Sequence, residues 1–175
     1  MFEKEWLQRA LSFEEYVDKA EMNVPTIRAN YEDTEVSEED HKYFSSLSSR
    51  LGNGAIKVLA ISEPWCGDCV ENLPIVAKLA SLYPCFDLLV FSRDDNLDIM
   101  DRYLTDGRRA IPVFVFFDNE GVIRKYDLVL SSSQLSSHKL LVLENGFNRK
   151  DAAVVKTPLA KKDKNVNIDQ YKKDA

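Results

Sequence analysis

Histidine and cysteine are scarce in this chain of 175 residues, with two of the former and three of the latter. Structural zinc usually needs four nitrogen or sulfur ligands. Beyond Cys66 and Cys69 the only candidates are Cys85, His41 and His138, none spaced as a partner motif, so no metal site is expected. The acidic stretch from Glu35 to Asp40 has the wrong ligand spacing for a calcium loop and reads as a helix start. A basic surplus is also missing: Lys and Arg total 23 against 29 Asp and Glu, a net charge of -6, which disfavours nucleic acid and anionic lipid as partners. No apolar run approaches the roughly 20 residues that a membrane-spanning helix requires. The opening Met1-Phe2-Glu3-Lys4-Glu5-Trp6 mixes charges and lacks the apolar stretch of a secretory signal. The expectation is a cytoplasmic protein with neither membrane nor nucleic-acid partners. In that compartment a close cysteine pair suits catalysis or metal binding better than a structural staple.

Hydrophobic residues make up 45% of the chain, enough for a sizeable core. The first fifty residues read as helical. Ser12 and Glu15 fit a capping box, with Leu11 and Tyr16 as a hydrophobic staple, and the helix is expected to run to about Met22 and stop before Pro25. Residues 26–36 have no clear period. Ser37 followed by Glu38, Glu39 and Asp40 announces a second helix, with Phe44, Leu47 and Leu51 as its buried stripe and Gly52 and Gly54 as its end. Ile56 to Ser62 reads as a buried strand, Cys66 to Leu82 as a helix containing Pro74, and Phe86 to Phe91 as a second strand. Asp94 to Thr105 reads as a helix with Leu97, Met100 or Ile99, and Leu104 inward, its start capped by residues of the Arg93-Asp94-Asp95-Asn96 run. Val113 to Phe117 reads as a third strand, Val122 to Leu130 as its hairpin partner, and a last helix follows from Ser132 or Ser133 to about Leu143. Parallel strands with crossover helices, followed by an antiparallel hairpin, give an α/β fold with a mixed sheet flanked by helices. The expected organisation is a helical extension over 1–54 packed on the core, a main domain over 55–147, and a Lys-rich flexible tail over 148–175.

The chemistry concentrates at Trp65-Cys66-Gly67-Asp68-Cys69, where a strand gives way to a helix. The first turn of a helix presents unsatisfied N–H groups and partial positive charge, which stabilise a thiolate at Cys66. Two intervening residues put Cys69 one turn on, within bonding reach. Cys66 is therefore the candidate nucleophile toward a disulfide, and Cys69 the candidate resolving cysteine. Cys85, after Pro84 at a strand entrance, reads as a small buried hydrophobe, and His41 and His138 as surface residues.

This segment resembles the Trp-Cys-Gly-Pro-Cys of the thioredoxin family. Pro74, five residues after the second cysteine, is similar to that family's helix proline, and Ala110-Ile111-Pro112 to its Ile-Pro pair, whose proline is cis and faces the disulfide. The resemblance spans about Ile56 to Leu143 and implies a thioredoxin fold with a sheet of four to five strands. It is sharpest for a bacterial thioredoxin-like branch that has an N-terminal helical extension, with Glu63 to Asp68 and Arg93 to Asn96 as the matching stretches. It implies thiol–disulfide oxidoreductase activity, with Trp65, Ile111 and Pro112 shaping the docking site and the Ile111 backbone beside Cys66. It further implies no bound cofactor, a disulfide-containing protein or low-molecular-weight thiol compound as substrate, and a separate reductase or thiol pool as electron donor.

Three departures from the family pattern stand out. The buried Asp six residues before the first cysteine is here Ala60, which carries no proton. Glu63 and Asp68 are the candidates to replace it in proton transfer or pKa tuning, although Glu63 reads first as a solvated loop acid. Asp68 stands where the family has proline, and it also repels a thiolate at Cys66, by roughly 0.4 to 1.7 pKa units at ~7 Å, against the helix dipole and Arg108 or Arg109. The Gly that follows the hairpin in thioredoxins is not evident near Leu128 to Ser131. Ala60 and the missing Gly keep open a thioredoxin-fold adaptor that uses the groove for binding, and a third reading is a redox sensor acting through residues 1–50.

Overall fold

The computed structural model describes residues 2–54, 56–105 and 107–118. The expected hairpin partner, the last helix, His138, the Leu128–Ser131 stretch and the tail lie outside them.

Strand β1 (Ile56–Ser62) is the centre of a three-stranded sheet ordered β2-β1-β3, with β2 at Phe86–Ser92 and β3 at Val113–Asp118. β1 and β2 run parallel, Ile56 opposite Phe86 and Ser62 opposite Ser92, joined by helix α4 (Gly67–Leu82). β3 runs antiparallel to β1, with Ile61 opposite Val113 and Ile56 opposite Asp118. A helix was expected over the whole of Asp94 to Thr105. That segment instead contains only the four-residue α5 (Leu97–Met100), followed by turns. The chain therefore leaves β2 and re-enters β3 at the same end of the sheet, so β3 must run back. Ile99, Met100 and Tyr103 face inward here, whereas Leu97 and Leu104 are exposed.

Alternation along β1 divides the core in two. Ile56, Val58 and Ala60 face a cluster with Tyr16, Val17, Ile27, Phe44, Val70 and Leu73, drawn from helices α1 (Phe13–Lys19), α2 (Val24–Glu32), α3 (Glu38–Leu51) and α4. Leu59 and Ile61 face the opposite cluster, which holds Ile99, Met100, Tyr103 and Trp6 from an opening 3₁₀ helix at Lys4–Gln8. The segment between that turn and α1 touches the sheet directly: Leu11 and Val90 exchange backbone hydrogen bonds of 2.8 and 2.9 Å.

The Ser12–Glu15 capping box forms, and Leu11 packs against the cluster containing Tyr16. α1 stops at Lys19, short of Met22. Much of residues 26–36, which show no clear period in the sequence, falls in α2 (Val24–Glu32), with Pro25 in its first turn. A proline there needs no N–H partner, so it starts this helix rather than ending the previous one. α3 begins at its Ser37 cap as expected, with Phe44 and Leu47 buried, but Leu51 is exposed where the helix gives way to Gly52 at φ 81°.

Candidate active site

Cys66 is the N-cap of α4, with extended backbone at φ -89° and ψ 117°. Its sulfur accepts the Cys69 backbone N–H at 3.4 Å, doing for the helix end what a Ser or Asp oxygen does elsewhere. On its other side the thiol donates to the Ile111 carbonyl at 3.6 Å. The Ile111–Pro112 peptide is cis. Cys66 is partly exposed and Cys69 is buried, and both are free thiols. The pKa of Cys66 is brought down to about 7, chiefly by a hydrogen bond from the Cys69 side chain, with the Cys69 and Asp68 backbone N–H groups adding to it. Burial and the Asp68 carboxylate oppose the shift and lose. The competition that local sequence left open therefore ends on the side of the thiolate. Arg108 and Arg109 take no part: Arg109 forks onto Asp101 at 2.6 and 2.8 Å, and Arg108 is exposed.

Cys69 is pushed the other way. Burial holds its thiol far above the ordinary range, and the Cys66 sulfur that it bonds adds to this. The Glu63 backbone N–H and the Ser62 hydroxyl act against these, both favouring the thiolate. The two cysteines are thus differentiated as a low-pKa outer sulfur and a high-pKa inner one.

With this geometry in place, a thioredoxin family model matches residues 10–126, about two thirds of the chain. The chain belongs to the thioredoxin family. Its fold is also similar to that of two solved structures. One is a protein of unknown function from Pseudomonas aeruginosa, at 20% identity and TM-score 0.58, covering 70% of this chain and 74% of that one. The other is an HIV epitope-scaffold, at 20% identity and TM-score 0.57, covering 68% and 72%. No curated protein matches the chain significantly. Among the described residues no three His, Cys, Asp or Glu side chains gather as a metal site, and no helix is long and apolar enough to cross a membrane.

The remaining sequence-predicted residues of this thioredoxin-family chain are distributed unevenly about the pair. Trp65 is 45% exposed, with the Arg93 guanidinium 4.6 Å over its ring. Arg93 also pairs with Asp94 and donates to the Arg109 carbonyl at 3.4 Å, so it links the Trp65 loop to the segment before Pro112. Asn96 occupies the N-cap of α5 without a side-chain cap bond and instead donates to the Ser92 carbonyl at 2.8 Å. Asp68 lies in the first turn of α4, half-buried. Glu63 corrects the expectation of a solvated acid: it is 6% exposed, and its carboxylate accepts from the Ser92 hydroxyl and the Asp94 N–H, each at 2.8 Å. β1 ends beside β2, and this carboxylate ties the two strand ends together. Ala60 and Cys85 are fully buried in the core, as expected for small apolar side chains. His41 is exposed and meets the Tyr83 hydroxyl at 2.9 Å.

Three residues have polar roles that the sequence reading did not give them, and all reach β1 or α4 and its approach from the N-terminal region. Tyr16 meets the Ser62 hydroxyl at 3.0 Å. Asn23 donates to the Pro64 carbonyl at 2.8 Å, from a left-handed backbone at φ 59°. Asn30 donates to the Val70 carbonyl at 2.9 Å. Asn23 carried a usable signal, since Asn ahead of Val24-Pro25 is a helix-start pattern. Tyr16 carried none beyond its apolar period.

Proposed function

We propose that this thioredoxin-family chain is a thiol–disulfide oxidoreductase. The observation that carries this reading is the asymmetry of the pair, with an exposed-side Cys66 whose pKa is brought to about 7 and a buried Cys69 one turn behind it. At neutral pH a good fraction of Cys66 is then thiolate without being so stable as to be a poor nucleophile.

The Cys66 thiolate attacks one sulfur of a substrate disulfide. That S–S bond breaks, one substrate thiolate leaves and takes a proton from solvent, and a mixed disulfide remains on Cys66. Cys69 then loses its proton and attacks the Cys66 sulfur. The Cys66–Cys69 bond forms and the second substrate sulfur departs as a thiol. Two electrons have passed from the dithiol to the substrate, and a separate reductase or thiol pool must return them. Trp65, Ile111 and Pro112 are the docking residues in this reading. The exposed indole offers a surface, and the Ile111 backbone beside Cys66 offers hydrogen bonds to an extended substrate segment. The substrate is a disulfide-containing protein or a low-molecular-weight disulfide.

A disulfide-reduction assay tests the reading. Wild type is expected to turn over and Cys66→Ser to fall to background. Equal rates in the two proteins would overturn it in favour of a binding or sensing role.

A further inference from the structure

The resolving step asks a buried thiol to become an anion. Cys69 is 1% exposed, so no solvent shell is available to stabilise its charge. The side chains facing it are few. Glu63 is adjacent, but its carboxylate is turned onto Ser92 and Asp94, and only its backbone N–H favours the Cys69 thiolate. Ala60, on the same face of β1 one pleat deeper, offers no polar atom. Ser62 is fully buried at the end of β1, its hydroxyl acts on Cys69, and it meets the Tyr16 hydroxyl at 3.0 Å. Tyr16 enters from α1 and is 4% exposed, in a cluster otherwise made of aliphatic and aromatic groups. The two hydroxyls are buried together and bonded to each other, and the one on Ser62 favours the Cys69 thiolate.

We infer that Ser62 donates a hydrogen bond to the Cys69 sulfur as it becomes the resolving thiolate, and that Tyr16 positions Ser62 by donating to its oxygen. The inference rests on the oxidoreductase reading and gives it the stabilising group that Ala60 cannot supply. Either hydroxyl can donate across the 3.0 Å Tyr16–Ser62 contact. Burial keeps the Tyr16 hydroxyl protonated, so it has a proton to give when Ser62 turns its own toward sulfur, and the inferred arrangement of the resolving step is Tyr16 to Ser62 to Cys69. Neither hydroxyl keeps the Cys69 proton. That proton ends on the substrate sulfur expelled from Cys66, so the step converts a mixed disulfide plus one thiol into the internal disulfide plus one thiol. Ser62 is the catalytic residue in this inference because its proposed bond is to the reacting atom, and Tyr16 is a positioning residue. α1 thereby contributes to chemistry whose cysteines sit on α4.

Stopped-flow reaction of the reduced protein with an aromatic disulfide that releases a coloured thiolate separates the two steps. The first release reports attack by Cys66 and the second reports resolution by Cys69. Ser62→Ala is expected to slow the second release about tenfold and Tyr16→Phe somewhat less, as for one lost hydrogen bond to a charged group. Both variants should also raise the apparent pKa of that phase and leave the first release unchanged. The titrating groups facing Cys69 are Cys66, Tyr16 and Glu63, all present in Ser62→Ala, so a shift there reports the hydroxyl. Because the hydroxyls act in series, Tyr16→Phe should have no further effect in a Ser62→Ala background. The double variant also leaves no orphaned hydroxyl, which guards against a folding defect. Unchanged second-phase rates, equal slowing of both phases, or additive effects would overturn the inference while leaving the oxidoreductase reading intact. A wild type that releases only one equivalent would overturn both.

Discussion

Cys66 and Asp68 sit in one helical turn with opposed preferences, and the thiolate of Cys66 survives because Cys69 points its thiol and backbone N–H at the same sulfur. Alkylation of the reduced protein is therefore expected to follow an apparent pKa of about 7, the rate rising between about pH 6 and about pH 8 and then levelling. Cys69→Ala removes the largest favourable contribution and should move that midpoint upward. Asp68→Asn removes a repulsive charge and should move it downward by about half a unit to one unit. A midpoint unmoved by Asp68→Asn would mean that solvent screens the carboxylate completely. The Cys-x-x-Cys spacing made the roles of these residues legible, because spacing along a helix is a local property. The outcome of the competition at Cys66 was not legible, because it depends on the burial and orientation of each group.

Pro74 lies inside α4 and has no N–H, so the Val70 carbonyl one turn earlier lacks its helical donor. Asn30 of α2 takes that donor's place at 2.9 Å. A proline that weakens its own helix thereby fastens a neighbouring one to it. Asn30→Ala should destabilise the protein by about 1 to 2 kcal/mol through an unsatisfied carbonyl. The same change in a Pro74→Ala background should cost less, since the restored backbone N–H at that position would donate to the Val70 carbonyl itself. Denaturant unfolding of the four proteins checks this, and equal costs in both backgrounds would show that Asn30 acts elsewhere. At the start of α1 the Ser12 side chain accepts the Glu15 N–H at 3.2 Å, and Ser12→Ala should cost about 1 kcal/mol in the same experiment. The Ser12 cap was legible because capping is a pattern across four consecutive residues. α2 was not, because Pro25 marks a helix start or a helix stop with equal force until the chain on either side is placed.

Across the described residues the central strand buries both faces, and the cysteine pair lies at the end of the sheet where β1 and β2 finish and β3 begins. Helices α1 to α4 cover one face, and Trp6 with the α5 region closes the other. Trp6 is 1% exposed, with Arg102 over its ring at 5.0 Å. Trp6→Ala should therefore cost about 3 to 5 kcal/mol in thermal or denaturant unfolding. Because Trp6 lies on the face away from Tyr16 and Ser62, the alkylation midpoint of the folded variant should stay where it is in wild type. A shifted midpoint would mean that the two faces are coupled through β1.

The strands β1, β2 and β3, the cap at Ser12, the helix after Cys66 and the cysteine pair itself were all determined by the sequence alone. Each is written in neighbouring residues, as alternation, capping or spacing. The reversal of β3, the shortness of α5, the burial of Glu63 and the meeting of Tyr16 with Ser62 were decided only by tertiary structure. Each depends on which segments, distant along the chain, share one end or one face of the sheet, and no local period carries that.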